Sequence, residues 1–556
     1  MRVLVLSARL TDRRRDAFRA LAPEVADLTL AAPGTAHPDF SEFDAIVIDG
    51  PQPAQTAHTL GALRAAVMRG ASLVAIGLAP AEPDGFWADL LGVVAGPEPP
   101  PGEYYARVTS AHSHITDRIT HEFTVVDRFM PLISLAGGRT IVDVRVALRD
   151  LAAMVEIPLG AGRVVACGFG NTDEALGTPD LLQLLARALR PDLHCCGRNI
   201  GIAVVGYGPL GGMGFHHGLG VSKTSGLQLV AVVDPSVDRR KTAEADFPGV
   251  RTYAAIEEVL SDDDVEVALV ATPPAQHSGL TLALLRAGKH VACEKPLCLT
   301  LTEADQIIAT AVAHDRLLTV YQNRRWDPDF VAIRRAVRAG LLGEVFNVET
   351  FVGDYAHPCR TWHSDVSVSG GAVYDWGSHH IDWILQLLGS APRTVQTYGH
   401  KRVWHDVTNL DQLRVRLSWS DGREAEFLQS DIAAVRKPKF YVQGTAGTLV
   451  GYYRSVTLER LEPGRGYVAQ QLHHAEAPAE LILARYESGY GLSETRLPPA
   501  PEQPFAFHRN LADHLHLGEP LAVTPQSVRA VVAVLESAQR SSNQGGSATP
   551  IPPGVP

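Results

Sequence analysis

The sequence predicts an α/β protein that consists of two successive α/β domains and a third, strand-rich domain. Short apolar runs alternate with helical segments over residues 1–190 and again over residues 199–323. Such alternation is typical of parallel sheets covered by helices. Beyond residue 343 strand patterns dominate, which indicates a large, open, mostly antiparallel sheet in an α+β domain. The chain of 556 residues is long enough for three or four domains.

Composition and charge narrow the class of protein. The chain has 50 Lys+Arg against 61 Asp+Glu, a formal net charge of −11, which disfavours non-specific binding to nucleic acid. Its apolar runs are far shorter than the roughly 18–20 residues that span a membrane. The six cysteines share no Cys-x-x-Cys spacing, so neither a structural metal nor a disulfide framework is expected. We therefore expect a cytoplasmic protein whose site uses no metal.

The first domain is predicted over residues 1–195. Its strand candidates are Val3–Leu6, Ala45–Ile48, Leu73–Ile76 and Val164–Cys167, and its helix candidates are Arg14–Leu21 and Leu60–Met68. The residues after the first strand, Ser7–Asp12, contain no glycine-rich turn. The domain is therefore not expected to hold a pyrophosphate. A boundary is predicted at Pro191–Arg198, which follows a helical pattern and precedes a new strand.

The second domain, predicted over residues 198–323, opens with a dinucleotide motif. The apolar strand ends at Val205, and Gly206, Gly208 and Gly211 follow in the pattern Gly-x-Gly-x-x-Gly. These glycines permit a tight turn, a close approach of the backbone to a pyrophosphate, and close packing of the next helix on the strand. The motif and its position predict a Rossmann domain.

An acidic residue stands at the second cofactor position. Asp234 ends the next predicted strand, where a carboxylate accepts hydrogen bonds from the adenosine ribose and repels a 2′-phosphate. We predict NAD as the cofactor, with NADP less favoured although Arg239 and Arg240 lie nearby. The residues expected at the cofactor site are Gly206, Tyr207, Gly208, Pro209, Leu210, Gly211, Asp234, Thr272, Pro273, His277, Glu294 and Lys295.

Further motifs lie where chemistry would occur. Ala271–His277 and Glu294-Lys295-Pro296 end two later strands of the second domain, and ligands of open α/β sheets bind outside such carboxyl ends. A third domain is predicted over residues 324–540. It contains Asp375 and His379 on a predicted helix, Ala372–Leu388, and their spacing of four places both on one helix face.

These ordered motifs resemble the Gfo/Idh/MocA family of NAD(P)-dependent sugar and polyol oxidoreductases, from about Asn199 to Arg540. The resemblance implies a Rossmann domain followed by an α+β domain whose open sheet often mediates dimers or tetramers. Lys295 corresponds to the lysine of the family's Glu-Lys-Pro motif. Asp375 and His379 correspond to its Asp-x-Gly-x-His pattern.

The resemblance implies roles for these side chains. Hydride transfer from an alcohol needs a base for the hydroxyl proton. His379 is the favoured base because its ordinary pKa lies near neutrality, yet Lys295 is also able to take the proton or to bind the oxygen. Asp375 is expected to orient a neighbouring hydroxyl. Predicted substrate contacts are Arg325, Trp326, Asp375, His379 and His380, with a buried structural stack as the alternative for Arg325 and Trp326.

Residues 1–190 resemble the ThuA-like (trehalose-utilisation) domains, which are relatives of class I glutamine amidotransferases with a flavodoxin-like α/β fold. The segments that carry this resemblance are Phe43–Gly50, Gly70–Gly77 and Gly162–Cys167. Amidotransferases need a cysteine nucleophile after the strand at Leu73–Ile76, where this chain has Gly-Leu-Ala-Pro, so glutaminase activity is not expected. ThuA-like proteins are associated with sugar dehydrogenases in pathways through 3-keto sugars.

The combined expectation is NAD-dependent oxidation or reduction of a secondary hydroxyl of a sugar, glycoside or cyclitol by a homodimer or homotetramer. Two alternatives remain open. One is a redox-neutral glycosidase or lyase that oxidises its substrate transiently, and the other is a non-catalytic sensor of NAD and sugar. The chain is expected to end with a helix at Thr524–Arg540 and a mobile tail, residues 541–556, rich in Ser, Gly and Pro.

Overall fold

The structure is a computed structural model. The chain forms two compact units. The first unit is Met1–Arg198 with Asp513–Pro520, and the second is Asn199–Ala512 with Leu521–Pro556. The structure describes residues 2–20, 27–31, 39–50, 57–83, 85–109, 115–116, 122–135, 137–189, 199–208, 212–454, 457–462, 466–471, 477–489, 491–500 and 502–552. Within these ranges no helix is both long and apolar enough to cross a bilayer.

The first unit combines a parallel layer with an antiparallel extension. Its strands are β1 (Arg2–Ser7), β2 (Asp27–Ala31), β3 (Ala45–Asp49), β4 (Ser72–Ile76), β5 (Val93–Ala95), β6 (Gly102–Val108), β7 (Glu122–Asp127), β8 (Leu132–Ser134), β9 (Arg139–Val146), β10 (Arg149–Leu159) and β11 (Gly162–Cys167). Its helices are α1 (Asp12–Ala20), α2 (Ala57–Met68), α3 (Phe86–Leu91), α4 (Asp173–Leu176) and α5 (Pro179–Leu189).

The sheet of this unit runs in the order β2-β1-β3-β4-β11-β10-β9-β6-β7. The strands from β2 to β11 are parallel, whereas β10, β9, β6 and β7 pair antiparallel. Alternate residues of the parallel strands enter two separate cores, Val3 and Val5 on one face and Leu4 and Leu6 on the other. Helices therefore cover both faces of this layer. The antiparallel strands were not predicted from the sequence.

The second unit begins with a parallel sheet in the order β14-β13-β12-β15-β16-β17. Its strands are β12 (Ile200–Val205), β13 (Leu227–Val233), β14 (Arg251–Tyr253), β15 (Val267–Val270), β16 (His290–Cys293) and β17 (Leu318–Val320). Its helices are α6 (Met213–Lys223), α7 (Val237–Asp246), α8 (Ile256–Leu260), α9 (Pro274–Arg286) and α10 (Leu301–Ala313). Counted within this sheet the order is 3-2-1-4-5-6, so the predicted Rossmann domain is confirmed.

A mostly antiparallel sheet follows in the order β27-β26-β23-β22-β18-β21-β20-β19-β28, with β18 and β21 parallel to each other. The strands of this sheet are β18 (Val345–Gly353), β19 (Thr394–His400), β20 (Gln412–Ser418), β21 (Glu424–Ser430), β22 (Phe440–Gly444), β23 (Gly447–Tyr452), β26 (Glu480–Glu487), β27 (Gly491–Leu497) and β28 (Thr549–Pro550). A separate two-stranded sheet consists of β24 (Thr457–Glu462) and β25 (Gly466–Gln471). The helices are α11 (Pro328–Arg338), α12 (Val366–Ser369), α13 (Ala372–Asp375), α14 (Gly377–Leu388), α15 (Ala506–Leu517) and α16 (Pro525–Asn543). This architecture confirms the predicted antiparallel domain.

Two predicted elements differ from the structure. The helix expected at Ala372–Leu388 is divided into α13 and α14 at Trp376, whose φ of −72° and ψ of −30° keep the helical path going. The expectation of a mobile tail from residue 541 is wrong for residues 541–552. The Oγ of Ser541 accepts a hydrogen bond from the Thr397 backbone N–H, and β28 pairs with β19. An edge strand of two residues leaves no periodic pattern in a Ser/Gly/Pro-rich sequence.

Candidate active site

The glycine loop at the end of β12 has the geometry of a dinucleotide cradle. Gly206 has φ of +103°, and a Cβ there would lie 2.7 Å from the Ala271 carbonyl oxygen, so only glycine fits. A Cβ on Gly208 would meet no atom of the described residues within 4 Å, which leaves that backbone open to a ligand. Of the predicted cofactor residues, Pro209, Leu210 and Gly211 lie outside the described ranges.

The following helix approaches the strand through a glycine that the motif does not include. Gly212 precedes α6 with φ of +61°, and a Cβ on Gly214 would lie 2.5 Å from the Gly206 carbonyl oxygen. Gly214 therefore supplies the close helix–strand contact that the sequence analysis assigned to Gly211. Gly214 is thus part of the packing between α6 and β12.

Asp234 anchors the loop from the end of β13. One carboxylate oxygen accepts the Tyr207 N–H and the other accepts the Ser236 N–H, each at 2.9 Å. Each oxygen keeps a second lone pair that a ribose hydroxyl is able to use. Arg240 donates to the backbone carbonyl of Asp234 at 2.7 Å, so a cation lies beside the same position. The adenosine end thus holds both an acid and an arginine.

Thr272 and Pro273 follow β15 beside this loop. The Thr272 hydroxyl is buried and has no hydrogen-bond partner in the part of the chain that the structure describes. A buried hydroxyl without a partner is costly unless a ligand completes it. The open Gly208 backbone, the anchored Asp234 and this hydroxyl together fit a dinucleotide.

Lys295 and Asp375 form an ion pair at the carboxyl end of β16. Lys295 Nζ donates to Asp375 Oδ1 at 2.9 Å and to the Asp375 carbonyl oxygen at 3.2 Å. Burial by itself raises the pKa of Asp375, but the Lys295 ammonium outweighs burial and the pKa is lowered. The structure therefore joins two residues that lie 80 positions apart in sequence.

His379 lies close to this pair in the first turn of α14. Burial lowers its pKa well below the ordinary 6.5, and the charges of Lys295 and Arg324 lower it further. The imidazole is therefore neutral near neutral pH and has a lone pair that accepts a proton. Its Nδ1 is buried and has no hydrogen-bond partner among the described residues. His379 is only 5% exposed.

The structure gives the predicted site residues Arg325, His380 and His277 a structural role. Arg325 is buried and forms a two-pronged pair with Asp382, while Trp326 packs edge-on against Phe507. His380 is fully buried against the rings of Trp383 and Phe427. Arg325 and His380 are enclosed by the protein and unavailable to a sugar, so the prediction that these two contact substrate is wrong. Trp326 is only partly buried, and its contact with substrate stays a prediction.

His277 is also enclosed rather than directed at the cofactor. Its Nδ1 lies 2.7 Å from the Pro296 carbonyl oxygen, and its Nε2 lies 2.7 Å from the Thr272 carbonyl oxygen. Both ring nitrogens are thus occupied by backbone groups. His277 links the loop after β15 to the Glu-Lys-Pro turn and positions the predicted cofactor residues instead of touching the cofactor.

Sequence reasoning missed His363, on the loop that follows β18. The pKa of His363 is lowered, mainly by burial. The charges of Asp375 and Lys295 also act on it, the first raising and the second lowering the pKa, so the ring lies near the ion pair. Its ring stacks on Trp362 with centroids 3.6 Å apart, and Nδ1 contacts the Thr361 hydroxyl at 3.1 Å. A loop has no hydrophobic period, so no sequence signal pointed to it.

Comparison with known proteins relates the region that holds this site to oxidoreductases. Residues 200–322 match the profile described as "Oxidoreductase family, NAD-binding Rossmann fold", and residues 330–450 match "GFO/IDH/MocA C-terminal domain". The chain is 25% identical over 346 residues to scyllo-inositol 2-dehydrogenase (NADP(+)) IolW of Bacillus subtilis, covering 62% of this chain and 94% of that protein. It is 29% identical to an inositol 2-dehydrogenase of Rhizobium meliloti over 50% of this chain and 83% of that protein.

A solved structure supports the same assignment. An NAD-binding protein from Listeria innocua has a TM-score of 0.54 and 26% identity, and the match covers 63% of this chain and 96% of that chain. The profile matches enclose the glycine loop, Asp234, the Glu-Lys-Pro turn and the Asp375–His379 segment. The matched regions therefore support an oxidoreductase with the two domains of the Gfo/Idh/MocA family.

Proposed function

We propose that the protein is an NAD-dependent dehydrogenase that oxidises a secondary hydroxyl of a sugar, glycoside or cyclitol to a ketone. The observation that carries this proposal is the Lys295–Asp375 pair beside a neutral His379, at the carboxyl end of the sheet that carries the glycine loop. The two relatives named above act on inositols, which supports a polyol as substrate.

The side chains divide the work as follows. Asp375 accepts a hydrogen bond from a hydroxyl next to the reacting one and orients the ring. Lys295 donates to the reacting oxygen and stabilises its negative charge. His379 takes the hydroxyl proton because its imidazole is neutral. The bound dinucleotide supplies the nicotinamide ring that accepts the hydride. The C–H and O–H bonds break, a C=O bond forms, and the proton remains on His379.

The choice of cofactor rests on the adenosine end. Asp234 faces the loop with its carboxylate, which repels a 2′-phosphate, and this favours NAD. Both cofactors need to be measured, because Arg240 lies beside the Asp234 backbone and one of the relatives is NADP-dependent. Equilibrium binding of NAD and NADP to the wild type and to Asp234→Asn tests the choice. We expect tighter NAD binding in the wild type, and a smaller difference in the variant.

Reduction of the cofactor by a panel of cyclitols and glycosides tests the activity. We expect NADH to form in proportion to ketone. Release of aglycone without net NADH identifies the redox-neutral alternative, and binding of both ligands without turnover of either kind identifies the sensor. A panel that gives neither ketone nor NADH while the protein holds NAD contradicts the proposed dehydrogenase.

We infer that the first unit is a ThuA-like accessory domain without glutaminase activity. Its parallel strands follow the order β2-β1-β3-β4-β11, which in their own count is 2-1-3-4-5, as in flavodoxin-like sheets. Gly77 stands after β4 with φ of +56°, and a Cβ there would lie 2.2 Å from Asn171 Oδ1. No cysteine nucleophile fits at that position. Incubation with glutamine is expected to release no ammonia.

The assembly and location of the protein are also inferred. Strands of the antiparallel sheet carry large, exposed apolar side chains, among them Tyr398, Tyr452, Tyr486 and Leu492. Exposed apolar side chains on a sheet are typical of interaction surfaces, and on this ground we infer a homodimer or homotetramer. The cytoplasmic location stays an expectation from the sequence. Light scattering of the purified full chain tests the assembly, and a mass of one chain at micromolar concentration contradicts it.

A further inference from the structure

A group of buried titratable side chains lies behind the Glu-Lys-Pro turn and takes no part in the chemistry above. His217 of α6 contacts Glu294 through Nε2, at 2.9 Å from Oε1. Its other nitrogen, Nδ1, lies 3.0 Å from Nε2 of His508 on α15. Both histidines are fully buried, and Glu294 is nearly so. Three elements far apart in sequence thus meet in one chain of hydrogen bonds.

The direction of these hydrogen bonds follows from the chemistry of the groups. An ionised carboxylate only accepts, so His217 Nε2 carries the proton and donates to Glu294. His217 Nδ1 is then the acceptor, and His508 Nε2 donates to it. Burial lowers the pKa of both histidines well below 6.5, which keeps both rings neutral and agrees with this pattern. The chain runs from His508 to His217 to Glu294.

Glu294 connects this chain to the reacting lysine. Its second oxygen, Oε2, accepts the backbone N–H of Lys295 at 3.0 Å. Lys295 Nζ in turn reaches Asp375. On the other side of Lys295, the Pro296 carbonyl oxygen lies against His277. Lys295 therefore stands between two neighbours that buried histidines hold in place.

The surrounding fold reserves space for this arrangement. A Cβ on Gly220 would lie 2.5 Å from the His508 ring, so α6 has a glycine where the ring passes. The Tyr321 ring packs edge-on against His217 with centroids 4.5 Å apart. Phe505, which precedes α15, has φ of +56°, a conformation that non-glycine residues rarely adopt. Backbone strain that the surroundings maintain is often tied to function.

We propose that His217 and His508 are positioning residues that hold Glu294, and through it the backbone of Lys295, so that the lysine ammonium faces Asp375 and the substrate oxygen. The role of Lys295 in this proposal rests on the proposed function. The alternative is that the histidines only fill and stabilise the interior. The positioning role predicts that the loss of one hydrogen bond to Glu294 changes the reactivity of the Lys295 ammonium. The purely structural role predicts no such change.

The test compares His217→Leu with His217→Gln in the full chain. Leucine fills the space without a donor, whereas glutamine has a donor and an acceptor on neighbouring atoms and restores the link to Glu294. The readout is the acylation rate of Lys295 by acetic anhydride, measured by mass spectrometry against Lys401 in the same molecule. Lys401 is a matched reference because it pairs with Asp411 at 3.0 Å and is 25% exposed, against 2.9 Å and 21% for Lys295.

We expect His217→Leu to raise the Lys295 to Lys401 ratio by about threefold to tenfold, the equilibrium factor of one net hydrogen bond. His217→Gln is expected to restore the wild-type ratio. His508→Leu leaves the hydrogen bond from His217 to Glu294 in place, so a smaller rise of the acylation ratio is expected. This variant replaces His217→Leu in the test if His217→Leu does not fold. Equal ratios in all variants, or equal rises with leucine and glutamine, overturn the proposal.

Turnover separates this proposal from the proposed function. With a polyol that reduces NAD, His217→Leu is expected to lower kcat by about tenfold with little change in KM, and His217→Gln to recover it. The acylation ratio needs no turnover. A wild type without activity but with the expected ratios contradicts the proposed function alone. An active wild type whose ratio does not respond contradicts the positioning role alone.

Discussion

The two units both contain a parallel sheet, but they differ in the groups at the carboxyl ends of the strands. In the second unit polar groups are left without protein partners among the described residues, whereas in the first unit side chains bind one another. After β12 the second unit has an open glycine backbone, with the Thr272 hydroxyl and His379 Nδ1 buried and unpartnered among the described residues. After β1 the first unit has Ser7, whose hydroxyl donates to Asp49 at 2.6 Å. Arg14 also pairs with Asp49, at 2.7 Å.

This difference shows that a shared sheet architecture does not imply a shared site. In the first unit, side chains of the protein satisfy one another at the sheet edge, and Asp127 further accepts three backbone N–H groups of the loop after β11. In the second unit, glycine and unpaired polar atoms leave places for ligand groups. The first edge is therefore expected to contribute stability and the second to contribute binding and catalysis.

The largest effect is expected from Lys295→Met. The substitution removes the cation that stabilises the reacting oxygen, so kcat/KM is expected to fall by about a thousandfold. The matched control is Lys289→Met, because Lys289 precedes the opposite end of β16 and donates to the Asp262 carbonyl oxygen at 2.7 Å. NAD reduction with the best polyol measures both. Similar losses in the two variants contradict a catalytic Lys295.

The next effect concerns the filled edge of the first unit. Asp49 is fully buried and pairs with both Arg9 and Arg14. Asp49→Asn removes both ion pairs and leaves Arg14 with Asp173 alone, which is expected to cost about 3 kcal/mol of unfolding free energy. The exposed pair of Asp16 and Arg19 is the control, and Asp16→Asn is expected to cost at most about 0.5 kcal/mol.

Denaturant unfolding measures both variants of the first unit, and NAD reduction by the folded protein is expected to be unchanged in each. A lost activity with unchanged stability in Asp49→Asn would show that this edge is also a functional site.

A smaller effect is expected at the open edge from Gly208→Ala. The new methyl group meets no atom in the part of the chain that the structure describes, so the free energy of unfolding is expected to be unchanged. The methyl group nevertheless blocks the close approach of a pyrophosphate. NAD binding is expected to weaken by about tenfold to a hundredfold, the equivalent of about 1.4–2.8 kcal/mol. Calorimetric titration measures this. Gly279→Ala is the control, since a Cβ there also meets nothing within 4 Å. Unchanged binding in Gly208→Ala argues against the cradle.

The smallest effect is a difference in pH dependence. Burial lowers the pKa of His379, His380, His217 and His508 well below 6.5 in the folded second unit. The unfolded chain therefore takes up protons first on acidification. Stability from these groups is full above 6.5 and falls as the pH drops from 6.5 towards the folded pKa values.

His380→Phe removes one of these groups while filling its place between aromatic rings. The slope of unfolding free energy against pH below 6.5 is expected to decrease by up to about 1.4 kcal/mol per pH unit. Denaturant unfolding across this range measures the slope, with the exposed His58→Gln as the control. An unchanged slope in His380→Phe means that this ring does not remain neutral on acidification.

Sequence reasoning located the parts of the site that carry a local pattern. Glycine spacing after a strand pointed to the loop at Gly206, and the Glu-Lys-Pro and Asp-x-Gly-x-His motifs pointed to Lys295, Asp375 and His379. The contacts between these motifs depend on tertiary packing. The ion pair of Lys295 with Asp375 and the closure by Gly214 were therefore visible only in the fold.

The wrong expectations have the same physical cause. His380 adjoins His379 in sequence, but a helix directs successive side chains to different faces, and the His380 ring points into the core. Arg325 is likewise buried, in a short 3-10 helix after β17. His363 was overlooked because loops bring side chains to a site without any period. The tail that was expected after residue 540 forms an edge strand, in which Pro550 pairs with Thr394 of β19, far earlier in the sequence.

The central claim is that Lys295 and His379 act together on one substrate hydroxyl beside the cofactor. A crystal structure of the protein with NAD and a polyol that it oxidises tests this directly. The account predicts one ring hydroxyl within about 3 Å of both Lys295 Nζ and a nitrogen of His379, with its carbon facing the nicotinamide ring. A polyol whose reacting oxygen contacts neither side chain would contradict the account.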